Sequence, residues 1–202
     1  MKNFLQRQHR TLFLLSWFLL MLMQAGLTEL QDDEAYYWVF SKFMDWGYFD
    51  HPPMTALLIK AGYFISGSVL GVRLLFVFLN LLSLLIAEKI TEHKDPFLFY
   101  GIALSIAVLQ LAGFYAVPDT PLIFFTALFF WQYRRFMIRS SLLNSILLGL
   151  TIALLFYTKY HGLLIVLFTL LSNIRLLFRS KAWLAVIVAL IIFSPHLYWE
   201  WS

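Results

Sequence analysis

Long apolar runs separated by short polar connections dominate the pattern of this chain. A helix that crosses the hydrocarbon layer of a bilayer needs about 20 mainly apolar residues. Seven runs, the shortest extended by its flanking residues, therefore predict seven membrane-spanning helices. The predicted spans are residues 11–30, 69–87, 97–117, 121–137, 142–158, 162–174 and 182–198. The pattern predicts an all-α integral membrane protein, built as a single transmembrane module over residues 1–202.

Residues 31–68, between the first two predicted spans, depart from this pattern. Acidic residues from Asp32 onward suit a helix N-terminus, and apolar residues then recur at helical spacing. Pro52 and Pro53 impose a rigid turn, and a second apolar helix is predicted over residues 54–66. We expect two amphipathic helices that lie on the membrane surface. The alternative is an interfacial segment that only packs against the bundle.

Composition supports this interpretation and excludes several other classes of protein. Hydrophobic residues make up 61% and charged residues 13% of the 202 residues, and the mean hydropathy is +0.78. A soluble domain carries roughly 25% charged residues, so a soluble domain is excluded, and the apolar content excludes a disordered chain. The chain has no cysteine, which excludes disulfides and thiolate chemistry.

The distribution of basic residues predicts the orientation of the chain. With the N-terminus in the cytoplasm, most lysines and arginines fall on the inner side. They are Lys2, Arg7, Arg10, Lys89, Lys94, Arg134, Arg135, Arg139, Arg175, Arg179 and Lys181. Such an excess is typical of cytoplasmic loops, so these clusters indicate topology rather than a nucleic-acid site. We expect a multi-pass protein of the plasma (inner) membrane, begun by an uncleaved anchor rather than a signal peptide, with residues 31–68 on the outer (periplasmic) side.

Acidic residues show the opposite distribution. Those on the outer side are Glu29, Asp32, Asp33, Glu34, Asp45, Asp50, Asp119 and Glu200. Ionisable groups at the lipid boundary are costly and usually functional. With Lys159, His51 and Arg73 nearby, they suit a lipid-borne anionic substrate, because carboxylates deprotonate hydroxyls or bind metals and cations stabilise phosphate. The simpler alternatives are that Asp119 caps the next helix and that Lys159 snorkels to the interface.

Six short motifs follow one another along the chain. They are Asp33-Glu34-Ala35-Tyr36-Tyr37, Gly47-Tyr48-Phe49-Asp50-His51-Pro52-Pro53-Met54, Gly71-Val72-Arg73-Leu74, Pro118-Asp119-Thr120-Pro121, Lys159-Tyr160-His161-Gly162 and Pro195-His196-Leu197-Tyr198-Trp199. Their order and approximate spacing, across essentially the whole chain, resemble the polyprenyl-phosphate-sugar-dependent membrane glycosyltransferases. These are the protein mannosyltransferase and aminoarabinose transferase relatives, which share the GT-C fold.

The resemblance implies transfer of a sugar from a polyprenyl-phosphate donor to an acceptor hydroxyl of a lipid, glycan or protein at the outer face. It implies that Asp33, with Glu34 beside it, is the catalytic base or orients the acceptor. Asp119 would face the donor and Lys159 would hold its phosphate. The candidate substrate-binding set is completed by His51, Arg73, Tyr160 and His161. Asp50 is the candidate ligand of a divalent metal ion, and no other cofactor is expected.

The chain departs from the family pattern in two respects. Asp50-His51 stands where relatives often have Glu-Lys. Because members of the family are usually longer, we expect residues 1–202 to be the N-terminal catalytic module alone, without the further C-terminal spans and outer soluble domain. Two other functions are compatible with the sequence: a multi-span transporter or lipid-flipping protein, and a truncated, inactive partner protein. Charges gathered at one face argue against transport, because transporter sites lie near the midplane.

Overall fold

The computed structural model describes residues 2–92, 96–106, 109–110 and 113–202, which are mostly helical. The helices are α1 (Lys2–Leu27), α2 (Asp32–Lys42), α3 (Met54–Ile65), α4 (Val69–Ile90), α5 (Pro96–Ser105), α6 (Asp119–Ile138), α7 (Leu142–Thr158), α8 (His161–Ser172) and α9 (Ser180–Trp201). A 3-10 helix at Ile174–Phe178 joins α8 to α9. These ranges contain no strand, so the predicted all-α class is confirmed.

Three helices of the described ranges are long and apolar enough to cross a membrane by themselves. They are Gln8–Leu27, Val69–Ile90 and Ser180–Trp201. Helices α3, α7 and α8 are apolar but shorter. Five predicted spans coincide with α4, α6, α7, α8 and α9 to within three residues at each end. The length and apolar character of these helices support a membrane location.

The predicted span 97–117 is not one continuous helix. Helix α5 ends at Ser105, whose hydroxyl donates to the carbonyl of Ile102 at 2.7 Å, and residues 113–118 form turns. Residues 107–108 and 111–112 lie outside the described residues. Packing explains the irregular backbone, because the Ala116 amide donates to the Glu34 carboxylate at 2.9 Å. In a continuous helix that amide would bond a carbonyl of the preceding turn instead.

The long helices form a row. α1 packs on α4, α4 on α6, α6 on α7 and α7 on α9, and α8 lies against α7. The pairs α1–α4 and α6–α7 are antiparallel, whereas α4 runs parallel to α6 and α7 runs parallel to α9. Small residues bring α7 and α9 close together, because Gly149 and Ala153 on α7 and Ala185 and Ala189 on α9 are all buried. A Cβ on Gly149 would lie 2.4 Å from the Ala185 carbonyl oxygen. Close contact between small residues is a common way for membrane helices to associate.

The two helices predicted within residues 31–68 are present as α2 and α3. They pack on each other, and α3 packs on α4 in a tight hairpin, where a Cβ on Gly71 would lie 1.6 Å from the Ser66 carbonyl oxygen. Val39 on α2 and Phe43 at its C-terminal cap are exposed, whereas Glu34 is buried. The apolar face of α2 is therefore free to contact lipid, and its acidic first turn contributes a carboxylate to the interior.

Ion pairs close the two ends of the α1–α4 pair. At one end, Arg73 of α4 pairs with Glu34. At the other end, Glu88 of α4 pairs with Arg10 of α1 at 2.8 Å and accepts a hydrogen bond from Tyr100 at 2.6 Å. The rise of 1.5 Å per residue separates the two α4 positions by about 22 Å. We call these the Arg73 end and the Glu88 end of the bundle.

Candidate active site

All of the predicted site residues lie at the Arg73 end. They come from the first turn of α2, the turn before α3, the beginning of α4, the beginning of α6 and the α7–α8 junction. The connections along the chain produce this convergence, because a helix that finishes at this end is followed by one that begins there, as with α1 and α4 or α7 and α8. Residues far apart in sequence are thereby brought to one surface of an apolar bundle.

A buried ion pair between Glu34 and Arg73 forms the floor of this end. Both side chains are 0% exposed, and the guanidinium donates to the carboxylate through Nε at 2.7 Å and also through Nη2. Arg73 also donates to the Ala25 carbonyl in the last turn of α1 at 3.1 Å, and to the carbonyls of Thr28 and Glu29 just after α1 at 2.8 Å and 2.7 Å. A cation suits this position, because the final carbonyls of a helix lack intrahelical partners and carry partial negative charge.

Glu34 also accepts hydrogen bonds from two backbone amides. These are the amide of Ala116 at 2.9 Å and the amide of Gln31 at 3.0 Å. Glu34 and Arg73 thus join α1, α2, α4 and the segment before α6, and every N–H of Arg73 has a partner in the fold. The predicted catalytic role of Glu34 and substrate-binding role of Arg73 stay predictions. Their contacts favour a role in positioning the first turn of α2.

Asp33, the predicted base, lies beside this buried pair and is exposed. One turn later on α2, burial raises the pKa of the Tyr37 phenol, and the nearby carboxylates of Asp50, Asp33 and Asp119 raise it further. A carboxylate disfavours the phenolate only when it lies close to it. Carboxylates from three separate segments therefore lie near enough to this hydroxyl group to disfavour its ionisation.

The turn before α3 presents Asp50 and His51 to the tyrosines of α2. His51 Nδ1 lies 3.0 Å from Asp50 Oδ2 and 3.4 Å from the Tyr37 hydroxyl, and the Tyr36 hydroxyl donates to Asp50 Oδ1 at 3.2 Å. Buried Pro52 and Pro53 follow at once and lead into α3. Sequence reasoning did not assign Tyr36 or Tyr37 to the site. The available signal was their place in the first motif, one helical turn after Asp33.

Asp119 and Lys159 form an ion pair across the site. Lys159 Nζ lies 2.9 Å and 3.1 Å from the two carboxylate oxygens of Asp119. The side chains are 61% exposed for Asp119 and 22% exposed for Lys159, so the carboxylate is open to a ligand. The N-cap of α6 is Pro118 and Asp119 is the first residue of the helix itself, so the alternative that Asp119 serves as its cap is wrong. Lys159 follows the last residue of α7. The ion pair gives these two residues a shared position at the site.

The end of α9 adds a second network. The Tyr160 hydroxyl donates to Glu200 Oε1 at 2.5 Å and lies 3.4 Å from His196 Nε2. His196 is 1% exposed, and its Nδ1 lies 2.7 Å from the Trp46 carbonyl oxygen. Burial, the hydrogen bond to Glu200 and the charges of Glu200 and Asp50 raise the pKa of Tyr160. This network connects α9 to the loop before α3.

Two local features allow α9 to reach this loop. Pro195 has no N–H for the Ile191 carbonyl, and the Ser194 hydroxyl donates to that carbonyl at 2.8 Å instead. Gly47 of the loop lies against the helix, and a Cβ there would be 2.4 Å from the Trp199 ring. Sequence reasoning did not assign His196 or Glu200 to the site. The available signals were the place of His196 in the last of the six motifs and the place of Glu200 among the outer acidic residues.

Two predictions remain, a metal ion at Asp50 and substrate binding by His161. Among the described residues, no group of three or more His, Cys, Asp and Glu side chains is arranged to hold a metal ion. Asp50 contacts His51 and Tyr36, and its role as a metal ligand stays a prediction. His161 is the exposed first residue of α8, beside Tyr160, and its substrate-binding role also stays a prediction.

Comparison with known proteins adds to this geometry. The chain is similar to the lipid A galacturonosyltransferase RgtD of Rhizobium johnstonii, with 29% identity over 190 residues, which cover 89% of this chain and 40% of that protein. It is also similar to an uncharacterized protein of Aquifex aeolicus, with 34% identity over 113 residues, which cover 50% of this chain and 23% of that protein. The chain therefore spans less than half the length of either relative.

A family model described as dolichyl-phosphate-mannose-protein mannosyltransferase matches residues 50–199. The matched range includes Asp50, Asp119, Lys159 and His196, whereas Asp33 and Glu34 lie before it. The resemblance seen in the sequence motifs is thereby confirmed. Because the match covers most of its length, this chain belongs to the dolichyl-phosphate-mannose-protein mannosyltransferase family.

Proposed function

We propose that this chain is the catalytic part of a glycosyltransferase that moves a sugar from a polyprenyl-phosphate donor to an acceptor hydroxyl at the outer face of the membrane. The observation that carries the proposal is the convergence of Asp33, Asp50, Asp119 and Lys159 at the Arg73 end. Family membership supports the reaction class. The apolar bundle around the site supports a lipid-linked substrate, because such a substrate approaches from within the bilayer.

Asp33 is proposed to activate the acceptor. Its carboxylate is exposed, while the adjacent Glu34 is fixed by Arg73, so the backbone at Asp33 is held in place. Asp33 takes the proton from the acceptor hydroxyl, and the hydroxyl oxygen attacks the anomeric carbon of the donor sugar. Positioned general bases typically contribute 10²–10⁴-fold to a rate.

Lys159 is proposed to stabilise the leaving group. As the new glycosidic bond forms, the bond between the anomeric carbon and the phosphate oxygen breaks, and the polyprenyl phosphate leaves with the electron pair. A fixed cation near that oxygen stabilises the developing negative charge. Asp119 orients Lys159 through both carboxylate oxygens. The donor phosphate then competes with Asp119 for the ammonium group.

Transport fits the geometry less well than catalysis does. The site groups lie at the Arg73 end, about 22 Å along α4 from the ion pair at the Glu88 end. Transporter sites lie near the bilayer midplane. On α4, the described polar side chains between the two ends include Asn80, which accepts a hydrogen bond from Trp17 at 2.8 Å. That hydrogen bond joins α1 to α4. Between Arg73 and Glu88, α4 has no charged residue.

A transfer assay in membranes that contain the full chain tests the proposal. Labelled polyprenyl-phosphate mannose and polyprenyl-phosphate galacturonic acid are the donors, and lipid A and a protein extract are the acceptors. The family and the Rhizobium relative suggest this panel. We expect Asp33→Asn to lower the transfer rate at least about 100-fold, as expected for loss of a general base.

The matched control is Asp32→Asn, which removes a neighbouring exposed carboxylate from the same helix turn. We expect it to leave the rate within a few-fold of the unmodified chain. Undiminished transfer by Asp33→Asn would exclude Asp33 as the base. Absence of transfer with every donor and acceptor would reject the proposed reaction for this chain.

A further inference from the structure

An apolar cavity lies at the Glu88 end, between α6, α7, α8 and α9. Its volume is about 280 Å³, and side chains such as Phe136, Leu148, Leu170 and Leu176 line it. Arg134 lies two residues before Phe136 on α6, and its guanidinium donates to the Ile90 carbonyl at the end of α4 at 3.1 Å. This contact places the cavity at the Glu88 end. An apolar cavity of about 150 Å³ stays dry and binds a small hydrocarbon such as benzene. This cavity therefore has room for part of an apolar chain.

The cavity opens beside the 3-10 helix and the beginning of α9. Leu177 and Trp183 both line it, and they are 45% and 51% exposed. The Trp183 indole donates to the Leu177 carbonyl at 2.9 Å, which holds the ring in place. A ligand can enter here without disturbing the close α7–α9 contact at Gly149.

Three basic residues lie on or beside the 3-10 helix and the beginning of α9, the two segments next to this opening. They are Arg175, Arg179 and Lys181. Arg179 Nη1 lies 3.8 Å from Met137 Sδ near the end of α6, so these segments meet the helix that forms another wall of the cavity. The sequence has no acidic residue between Asp119 and Glu200, so none of these cations has an acidic neighbour on its own segment.

Both described glutamates at this end are already engaged. Glu88 pairs with Arg10, and Glu92 pairs with Arg134, whereas Asp95 lies outside the described residues. In the described ranges, no ion pair joins any of these three cations to an acid. An excess of positive charge is typical of cytoplasmic loops. That tendency does not by itself explain why the charges lie beside an apolar opening.

We propose that the cavity and these three cations form a binding site for an anionic phospholipid of the leaflet at the Glu88 end. One acyl chain fills the cavity between Leu177 and Trp183, and the phosphate lies among Arg175, Arg179 and Lys181. Basic pockets between membrane helices bind anionic headgroups in this way. A second copy of the chain is a poor occupant, because it would bring the same positive charges against this surface.

Lipid binding by the purified full chain in non-ionic detergent tests this inference. Native mass spectrometry compares phosphatidylglycerol with phosphatidylcholine of identical acyl chains. We expect the anionic lipid to bind selectively, because it offers negative charge without a cationic amine. We expect Arg179→Gln with Lys181→Gln to weaken that binding about 30-fold, from the usual contribution of each basic residue near an anionic lipid surface.

The matched control is Lys42→Gln with Lys60→Gln, which removes the same charge from exposed positions on α2 and α3. We expect this control to keep the affinity for phosphatidylglycerol. If both double variants lost the same affinity for phosphatidylglycerol, net charge alone would explain the effect, and the proposed site would be overturned. Equal binding of the two lipids by the unmodified chain would also overturn it.

A second variant tests the cavity independently of charge. Ala182 lines the cavity, and Ala182→Phe fills part of its volume. We expect loss of the bound phosphatidylglycerol, whereas Ala61→Phe, at an exposed position of α3, retains it. Retention of the lipid by a folded Ala182→Phe would overturn the acyl-chain position. A dimer in place of a lipid adduct would identify a second copy as the occupant and reject the proposal.

Discussion

Asp33 and Glu34 are adjacent residues whose side chains have opposite surroundings. Asp33 is exposed, whereas Glu34 is buried and bonded to Arg73, Ala116 and Gln31. A buried charge is tolerated only when it is paired and hydrogen-bonded, and Glu34 satisfies both conditions. One acid of the pair is therefore available for chemistry, and the other fixes the position of the first.

We expect Glu34→Gln to destabilise the fold strongly. Removing one partner of a buried ion pair leaves an uncompensated charge, here on Arg73, at a cost of about 3–5 kcal/mol. Chemical unfolding in detergent micelles measures the free energy of unfolding. Glu29→Gln is the control. The side chain of Glu29 is exposed, and Arg73 contacts only the backbone carbonyl of this residue, which the substitution keeps. Unchanged stability of Glu34→Gln would contradict the importance of this pair.

The raised pKa of Tyr37 predicts that the stability of the fold depends on pH in the alkaline range. Its pKa in the fold is raised above 10.0 by burial and by the carboxylates of Asp50, Asp33 and Asp119. Above pH 10 the unfolded chain therefore binds fewer protons at this phenol than the folded chain does, and the free energy of unfolding falls as pH rises. The contribution is complete below pH 10 and is lost as pH rises through the folded pKa.

Unfolding measured from pH 8 to pH 11 checks this sign. We expect Tyr37→Phe to show a smaller decline in stability across that range than the unmodified chain. Tyr198→Phe removes a phenol that is 76% exposed and serves as the control. An identical decline in Tyr37→Phe and the unmodified chain would show that Tyr37 does not contribute.

Some of these residues could be predicted from the sequence and others could not. Charges on one face of a membrane protein are conspicuous, so Asp33, Asp50, Asp119 and Lys159 were assigned to one site from topology alone. The Asp119–Lys159 pair and the burial of Glu34 against Arg73 depend on how separate helices pack. Hydropathy along the chain contains no information on those distances. His196 was missed for the same reason, because its partner at Trp46 belongs to a distant loop.

At the scale of elements, apolar length predicted most helices well. The predicted span 142–158 has the same limits as α7, and the bounds of its neighbours differ by at most three residues. The exception, 97–117, is apolar enough to be assigned to the membrane, but apolar content does not reveal where a backbone leaves the helix. There the tertiary hydrogen bond from Ala116 to Glu34 accompanies the irregular segment.

The contact between the outer loop and α9 gives a prediction at this scale. A Cβ on Gly47 would lie 2.4 Å from the Trp199 ring and 3.0 Å from the His196 ring, so Gly47→Ala must displace the loop or the end of α9. We expect a loss of transfer activity of at least about tenfold, because small misplacements at an active site are costly. The transfer assay described above provides the measurement.

Gly67→Ala is the control for this substitution. It adds the same methyl group in the loop before α4, where no atom lies within 4 Å of the added carbon. We expect its activity to match that of the unmodified chain. If Gly47→Ala were equally active, the loop could not depend on its contact with α9 for catalysis.

At the scale of the whole molecule, the bundle has two chemically different ends. The Arg73 end presents the exposed carboxylates of Asp33 and Asp119, and the Glu88 end presents the basic cluster around the 3-10 helix. Positive charge is typical of the cytoplasmic side. The packing places the two groups of charges at opposite ends, as the sequence-based topology requires.

Site-directed labelling tests the orientation that follows. The chain has no cysteine, so a single introduced cysteine is its only thiol. Phe49 at the Arg73 end and Phe178 at the Glu88 end are 98% and 86% exposed, and they provide matched positions. We expect a membrane-impermeant maleimide to label Phe49→Cys in intact spheroplasts and Phe178→Cys only after permeabilisation.

Labelling of both variants in denaturant supplies the control for total thiol. The expected pattern depends on the basic cluster being retained in the cytoplasm, because Lys and Arg near span ends set the orientation of the chain. The reverse pattern would place Asp33 and Lys159 on the cytoplasmic side. Transfer at the outer face would then be rejected, whereas membership of the family and the pairing of Asp119 with Lys159 would stand, because neither depends on the direction in which the bundle is inserted.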